Sequence, residues 1–212
     1  MQPAQQRTLD QIRAELSRVT RYDDESVVHD KWIRQRYDCG CYPSYGPARR
    51  AVVLTAWHEA GHAVAALAVG ARFSSASIHH GRGTEGRVHG IRSGAGQAFV
   101  IDAAGQIAQR LRDWTMLERD DELRAWLAAW VRDGGDAARF RRAIRARFGT
   151  DEVAAWRHSE QLLTPLRLAV RQVARALLVS SRYLPYPVVS AVAGDCWPAT
   201  AGEPGARGAR YC

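Results

Sequence analysis

Apolar residues recur at helical spacing along most of the 212-residue chain. The first such stretch, Leu9 to Val19, predicts a short amphipathic helix. A longer apolar stretch predicts a second helix from Ala48 to Val69, and Gly70 is placed to end it. Between the two helices, Asp23 to Pro47 is polar and aromatic without periodicity and is typical of a loop.

The pattern changes after Gly70. Phe73 to His79 and Arg87 to Arg92 are typical of two short strands, and the glycine-rich segment Gly81–Gly86 predicts a hairpin loop between them. The rest of the core returns to helical spacing, and Pro165 is expected to kink or start the last helix. The predicted helices are Ala98–Trp114, Leu117–Arg132, Asp136–Phe148 and Glu152–Ser180. A helix, a hairpin and a helical bundle in that order predict a mainly α fold with a small sheet.

The same pattern divides the chain into three zones. Residues 1–50 hold the N-terminal helix and loop, and residues 51–193 hold the core. Residues 194–212 contain Gly, Pro, Ala and Arg without periodicity, which predicts a disordered tail.

Composition excludes several classes of protein. With 46% hydrophobic and 25% charged residues, the chain has the composition of a soluble globular protein and not that of a disordered chain. The formal charge is +8, and Lys31 is the only lysine among the 30 basic residues. Because no glycine-rich loop precedes Lys31, the sequence contains no phosphate-binding P-loop, and ATP hydrolysis by that route is excluded.

Apolar runs and cysteines indicate the compartment. The N-terminus lacks the apolar stretch of a secretory signal, and the longest apolar run, Ala63 to Ala71, is far shorter than the ~20 residues of a membrane span. These features predict a soluble, cytoplasmic protein. Four cysteines suit a reducing compartment, and thiols are favoured over a cysteine-ligated zinc site. They are Cys39, Cys41, Cys196 and Cys212.

The residues with the clearest chemistry are His58-Glu59-Ala60-Gly61-His62 on the predicted second helix. Histidines four positions apart lie on one helix face, where both imidazoles can bind a zinc ion. Zinc lowers the pKa of a bound water, and the adjacent Glu59 can take its proton as that water attacks a carbonyl. The pattern therefore predicts a hydrolytic zinc site with Glu59 as the catalytic base.

An ordinary helix with these residues on its solvated face is the simpler interpretation. The neighbouring positions are almost wholly apolar, however, and ionisable groups in such surroundings are costly unless something pairs them. Gly61 also costs about 1 kcal/mol relative to alanine inside a helix, so it indicates close packing there. Both observations favour the metal site.

The segment Thr55–Val64 resembles the active-site helix of the FtsH-type zinc metallopeptidases. The residues Ser77-Ile-His-His and Gly83–Val88 are similar to that family's hairpin. The run Ala103–Leu111 resembles a further family helix, although Gln106 and Gln109 stand where the family usually has Arg and Glu. The resemblance implies an FtsH-peptidase-like zincin fold over roughly Arg49 to Val192, without the family's ATPase module.

The third zinc ligand is less clear from the residues. A third histidine in one familiar zincin arrangement is excluded, because Ala68 stands at its position. Asp136 follows two glycines and opens a helix, so its simplest role is an N-cap. The resemblance implies that Asp136 is the third ligand, with Asp102 as the second choice. The other available carboxylates are Glu85, Asp113 and Glu118.

Together these features predict a zinc-dependent, ATP-independent metalloendopeptidase that hydrolyses flexible or unfolded polypeptides. A separate ATPase or adaptor that feeds it substrate stays open, and the sequence does not predict an oligomeric state. His79, His80 and His89 are assigned no role, and His158 is expected to be structural.

The alternative is an arginine-rich module that binds nucleic acid or an acidic partner, with a zinc site that is only structural. This alternative is less favoured, because nearly every basic residue in the chain is arginine and because a structural site needs no Glu59. Its candidate residues are Arg139, Arg141, Arg142, Arg145, Arg147, Arg171 and Arg175.

Overall fold

The computed structural model describes residues 1–18, 47–80, 84–94, 96–113, 115–130, 135–180 and 183–198. The predicted loop before Pro47, Cys39, Cys41 and the tip of the hairpin lie outside the described residues. Cys212 and the rest of the segment after residue 198 lie outside them as well.

The fold is mainly α with a small antiparallel sheet, as the sequence predicts. The elements are, in chain order, α1 (Pro3–Leu16), α2 (Pro47–Ala68), β1 (Ser75–His80), β2 (Thr84–His89), α3 (Ala98–Asp113), α4 (Asp120–Trp130), α5 (Asp136–Phe148), α6 (Glu152–Leu163), α7 (Arg167–Val179), β3 (Tyr183–Pro185) and α8 (Tyr186–Gly194).

Helix α2 is the centre of the structure, packed against α3, α7 and both strands of the hairpin. Its apolar residues are buried on most sides, which explains why the apolar pattern there is nearly continuous. The helix ends at Ala68, one residue before the predicted end, and Gly70 follows in a turn with a φ of 71° that suits glycine. The Ala71 amide donates a hydrogen bond back to the Ala66 carbonyl at 2.8 Å. None of the described helices is both long and apolar enough to cross a membrane.

Gly61 lies where α2 crosses α3. A Cβ atom added at this position would collide with the Ala104 carbonyl oxygen and would lie 2.6 Å from the Ala108 Cβ. Small residues on both helices therefore allow the two backbones to approach closely, and the packing role predicted for Gly61 is confirmed.

The sheet has the strand order β2-β1-β3. The hairpin strands begin and end one to three residues away from the predicted bounds. Thr84–Gly86 belongs to β2 instead of the loop and pairs with Ile78–His80. Strand β3, which pairs with Ser75–Ser77 of β1, was missed, because three residues are too short for an alternating pattern.

The C-terminal helices differ from the prediction in two respects. Helix α8 (Tyr186–Gly194) was not predicted, because the predicted helices end at Ser180. The predicted helix Glu152–Ser180 is two helices, separated by a 3-10 turn at Thr164–Leu166. Pro165 lies in that turn, as expected for a residue that cannot donate to the preceding helical turn. Trp126 and Trp130 of α4 pack against Trp156 of α6.

The N-terminal helix packs against the last two described helices. Helix α1 contacts α7 and α8, and Arg13 donates hydrogen bonds to both carboxylate oxygens of Asp195, at 2.7 and 2.9 Å. Cys196 and Trp197 are buried, so the packed region continues beyond residue 194, where the tail was predicted to begin. Cys196 is disulfide-bonded, so the prediction of a thiol is wrong at this residue.

The close approach of α2 and α3 predicts that Gly61→Ala is destabilising. We expect a loss of about 1–3 kcal/mol in the free energy of unfolding, because the added methyl overpacks the contact with backbone atoms that cannot turn away. Gly194→Ala is the matched control, since Gly194 is also helical and a Cβ there meets nothing within 4 Å. Urea denaturation should show Gly194→Ala unchanged or slightly stabilised. Equal stabilities for the two variants would contradict the packing role.

Candidate metal centre

The two histidines of α2 face the same side of the helix, one turn apart. Their Nε2 atoms lie 3.0 Å from each other, and the rings meet nearly at right angles, with an interplanar angle of 81°. His62 is buried, whereas the side chain of His58 is 18% exposed. The pair therefore presents two nitrogen atoms at one point that solvent can still reach.

Asp136 completes this arrangement from a distant part of the chain. Its Oδ2 atom lies 2.9 Å from His58 Nε2 and 3.1 Å from His62 Nε2. Asp136 is the first residue of α5, and Gly135, with a φ of 54°, occupies the N-cap position. The N-cap role considered for Asp136 is therefore wrong: its side chain points toward α2 and does not cap its own helix.

The electrostatics of the three side chains favour a positive charge between them. Burial lowers the pKa of His62, but the hydrogen bond and negative charge of Asp136 outweigh burial and raise that pKa to about 9. Burial raises the pKa of Asp136, yet the hydrogen bonds from the two histidines outweigh it and hold the pKa well below its usual range. For His58, burial is the stronger effect and the pKa is lowered. The carboxylate thus attracts positive charge to the point where the ligand atoms meet.

Helix α3 fixes the orientation of both histidines. His62 Nδ1 lies 2.6 Å from the Ile101 carbonyl oxygen. Because a carbonyl oxygen can only accept a hydrogen bond, Nδ1 is the donor, and in the neutral ring Nε2 keeps its lone pair. One turn later, Gly105 lies against the His58 ring: a Cβ at this position would lie 2.5 to 2.6 Å from the ring atoms. The Ile101 carbonyl therefore orients the His62 ring, and the lack of a side chain at Gly105 leaves room for the His58 ring.

Glu59 lies beside the histidines, with only 5% of its surface exposed. Burial raises the pKa of its carboxyl group to about 7, because desolvation disfavours the charged form. Gly86 of β2 makes room for the carboxyl group, since a Cβ there would lie 2.7 Å from Glu59 Oε1. The carboxyl group is thus enclosed between α2 and the hairpin.

The three ligand atoms fit a zinc ion. Zinc with bonds of about 2.0–2.1 Å in tetrahedral geometry separates its ligand atoms by about 3.3 Å. The atoms here are 2.9, 3.0 and 3.1 Å apart, so an outward shift of a few tenths of an ångström suffices. Two imidazoles and a carboxylate are the ligand types of catalytic zinc sites, which keep a fourth position open. His58, His62 and Asp136 could therefore hold a metal ion.

Asp102, the second choice for the third ligand, is not in this cluster. Its Oδ1 atom accepts a hydrogen bond from Arg139 Nε at 3.1 Å, and Arg139 Nη2 in turn donates to Asp136 Oδ1. Asp113 pairs with Arg112. The side chain of Glu85 lies outside the described part of the chain, and Glu118 is exposed on the segment before α4.

The remaining histidines have other surroundings where they are described. His89 Nε2 lies 3.1 Å from Ser77 Oγ, within the sheet. His158 packs against the rings of Phe99 and Phe148, which agrees with its predicted structural role. The side chains of His79 and His80 lie outside the described part of the chain.

Sequence reasoning missed three residues around the site: Gly86, Gly105 and the Ile101 carbonyl. The only available signal was the glycines themselves, and Gly86 was assigned to a loop. Gln109, noted as a departure from the resembled family, donates to the Leu54 carbonyl at 3.0 Å and links α3 to α2.

Several of the arginines listed for the alternative function make contacts within the protein. Arg139 contacts Asp102 and Asp136, Arg141 pairs with Glu152, and Arg175 is buried. Arg147 lies over the rings of Phe99 and Phe148. The contacts pair several of these charges within the protein, but only Arg175 is buried, and the side chains of Arg139 and Arg141 are 56% and 39% exposed.

A family model described as Peptidase M50B-like matches residues 42–115 of the chain. The match covers about a third of the chain and contains His58, Glu59 and His62, but not Asp136. It supports a metallopeptidase of the M50, or site-2 protease, type, and not specifically the FtsH type that the sequence resemblance implies. No curated protein and no solved structure matches the chain significantly.

The packing of Gly105 against His58 predicts that Gly105→Ala lowers metal affinity. The added methyl displaces the imidazole, which turns away more easily than a backbone would, so we expect weaker zinc binding in a protein that still folds. Zinc content after dialysis and circular dichroism would measure both properties. The control is Gly194→Ala, which should bind about one zinc per chain, like the wild type. Full zinc retention by Gly105→Ala would contradict the proposed position of His58 in the site.

Proposed function

We propose that this chain is a zinc metalloendopeptidase that cleaves flexible or unfolded polypeptides without hydrolysing ATP itself. The observation that carries the proposal is the convergence of His58, His62 and Asp136 on one point, with Glu59 beside them. Three of these four residues lie in the segment that matches the peptidase family model.

His58 and His62 would hold the metal through Nε2, and Asp136 through Oδ2. Zinc, when bound, would polarise the scissile carbonyl and lower the pKa of a water molecule toward neutrality. The partial exposure of His58 and Asp136, at 18% and 17% of their side chains, leaves one side of the cluster accessible to a substrate.

Glu59 supplies the base. Its carboxylate takes the proton from the attacking water and delivers it to the leaving amine, a role that needs a pKa near the working pH. Burial raises the Glu59 pKa toward that range, and a nearby cation would oppose the shift by favouring the charged form. A purely structural metal site has no use for a buried carboxyl group held in this position, which argues against the structural alternative.

The preference for flexible substrates is inferred from the lack of a P-loop in these 212 residues. None of the 212 residues forms a P-loop, so these residues supply no ATP-driven unfolding. We propose that extended segments enter the site directly or are delivered by a separate ATPase or adaptor.

Glu59→Gln should abolish peptide hydrolysis while leaving the zinc content and the fold unchanged. The substitution removes the base but keeps the size of the side chain and most of its hydrogen-bonding capacity. Cleavage of casein or of a quenched fluorescent peptide would be measured with and without a chelator. Activity within a few-fold of wild type would show that Glu59 is not the base.

Gly86→Ala provides a second variant at the same carboxyl group. The three atoms nearest to its methyl would all belong to Glu59, so we expect activity to fall while zinc content stays at the wild-type level. A loss of zinc by Gly86→Ala would instead indicate that the hairpin supports the ligands themselves.

Asp136→Asn tests the third ligand. If Asp136 only favoured the N-terminus of α5, its loss would cost about 0.3–1 kcal/mol of stability and leave the metal in place. If it is a ligand, the variant should stay folded but bind zinc much more weakly and lose cleavage, since a neutral amide is a poor substitute for a carboxylate. Asp121→Asn is the matched control, because Asp121 lies in the first turn of α4, away from the cluster. Retention of both zinc and activity by Asp136→Asn would exclude the ligand role.

A further inference from the structure

Asp136 uses its two carboxylate oxygens differently. Oδ2 faces the two histidines, whereas Oδ1 accepts a hydrogen bond from Arg139 Nη2, one helical turn further along α5. An aspartate held at only one oxygen can rotate about its side-chain bonds. The contact at Oδ1 therefore decides where Oδ2 points.

Arg139 is itself held from the other side. Its Nε donates to Asp102 Oδ1 at 3.1 Å, and the planar guanidinium fixes the angle between the two contacts. Asp102 lies on α3, and its side chain is 13% exposed. Arg139 thus connects a carboxylate of α3 to a carboxylate of α5.

We propose that Arg139 and Asp102 are positioning residues that orient Asp136 for metal binding. This inference rests on the proposed function, because it assigns the role of two residues toward the proposed metal ion. Partners of this kind around a metal site typically contribute a factor of about 10–100 in metal affinity.

Charge explains why two residues are needed. A lone arginine next to a metal site repels the cation that the ligands attract. The carboxylate of Asp102 compensates the charge of Arg139, so that the guanidinium can orient Asp136 with little net repulsion. The arrangement of carboxylate, guanidinium and carboxylate therefore provides orientation at small electrostatic cost.

A merely stabilising role fits the contacts less well. The Arg139 side chain is 56% exposed, and ion pairs at such exposure typically contribute only about 0–1 kcal/mol to stability. Arg141 offers a direct comparison on the same helix, because it pairs with Glu152 and touches none of the proposed ligands. The two arginines should differ in their effect on the metal, not in their effect on the fold.

The experiment measures the zinc affinity of the purified full chain by competition with a chromophoric chelator. We expect Arg139→Gln to weaken zinc binding about 10–100-fold. Arg139→Lys should be intermediate, because an ammonium group keeps the charge but cannot bridge two carboxylates in a fixed plane. Arg141→Gln should match the wild type. Wild-type affinity in Arg139→Gln would overturn the proposal, and so would full rescue by lysine.

Asp102→Asn tests the other half of the pair and does not depend on whether Arg139→Gln folds. It should also weaken zinc binding, but it should add little in the Arg139→Gln background, because the two residues act through one contact. Fully additive effects would show that they act separately and would overturn the proposal.

The visible spectrum of the cobalt-substituted protein gives a readout that a change in stability alone does not move. It should change in Arg139→Gln and stay the same in Arg141→Gln, and an unchanged spectrum in both would overturn the role of Arg139. If the wild-type chain binds no zinc, the proposed function itself is wrong, whatever the variants show. Zinc binding by the wild type together with unaltered binding by the Arg139 and Asp102 variants leaves the metal site standing and removes only this inference.

Discussion

The close approach of α2 and α3 is the constraint on which the candidate site depends. It exists because Gly61 on one helix meets Ala104 and Ala108 on the other. At that separation, a single turn of α3 reaches every proposed ligand: the Ile101 carbonyl accepts from His62, Gly105 lies against the His58 ring, and Asp102 reaches Asp136 through Arg139. A wider helix separation would loosen all three ligands together, so packing and chemistry are coupled here.

Burial makes the same arrangement costly unless a cation balances it. Glu59 and His62 are buried, and the side chains of His58 and Asp136 are only 18% and 17% exposed. Without a metal ion, both imidazoles contact the Asp136 carboxylate, and their Nε2 atoms lie 3.0 Å from each other. The pKa of His62 is raised to about 9 under these conditions. A proton and a metal ion satisfy the same carboxylate, and they compete for the same nitrogen atoms. Metal binding here should therefore stabilise the fold as well as prepare the chemistry.

Much of the fold could be predicted because its signals are local. The apolar spacing and Gly70 located α2, Pro165 marked the break between α6 and α7, and the two histidines four residues apart identified one face of a helix. The failures have physical causes too. Strand β3 is only three residues long and is held by its pairing with β1, and the ends of the hairpin strands depend on register, which local composition does not specify.

Asp136, the proposed third ligand, could not be identified from local sequence signals alone. Asp136 lies far from His62 along the chain, and several carboxylates were equally available by composition, so only the packing of α5 against α3 could select it. Resemblance to a known family implies Asp136, and the geometry agrees: Asp136 joins the two histidines in one cluster, whereas Asp102, the second choice, accepts a hydrogen bond from Arg139 and is not in that cluster. If Asp102 orients Asp136 through Arg139, as we propose, the residue considered as an alternative ligand supports the favoured one. Nothing local in the sequence separates Asp102 from the other available carboxylates, whereas in the structure the Arg139 guanidinium connects Asp102 to Asp136.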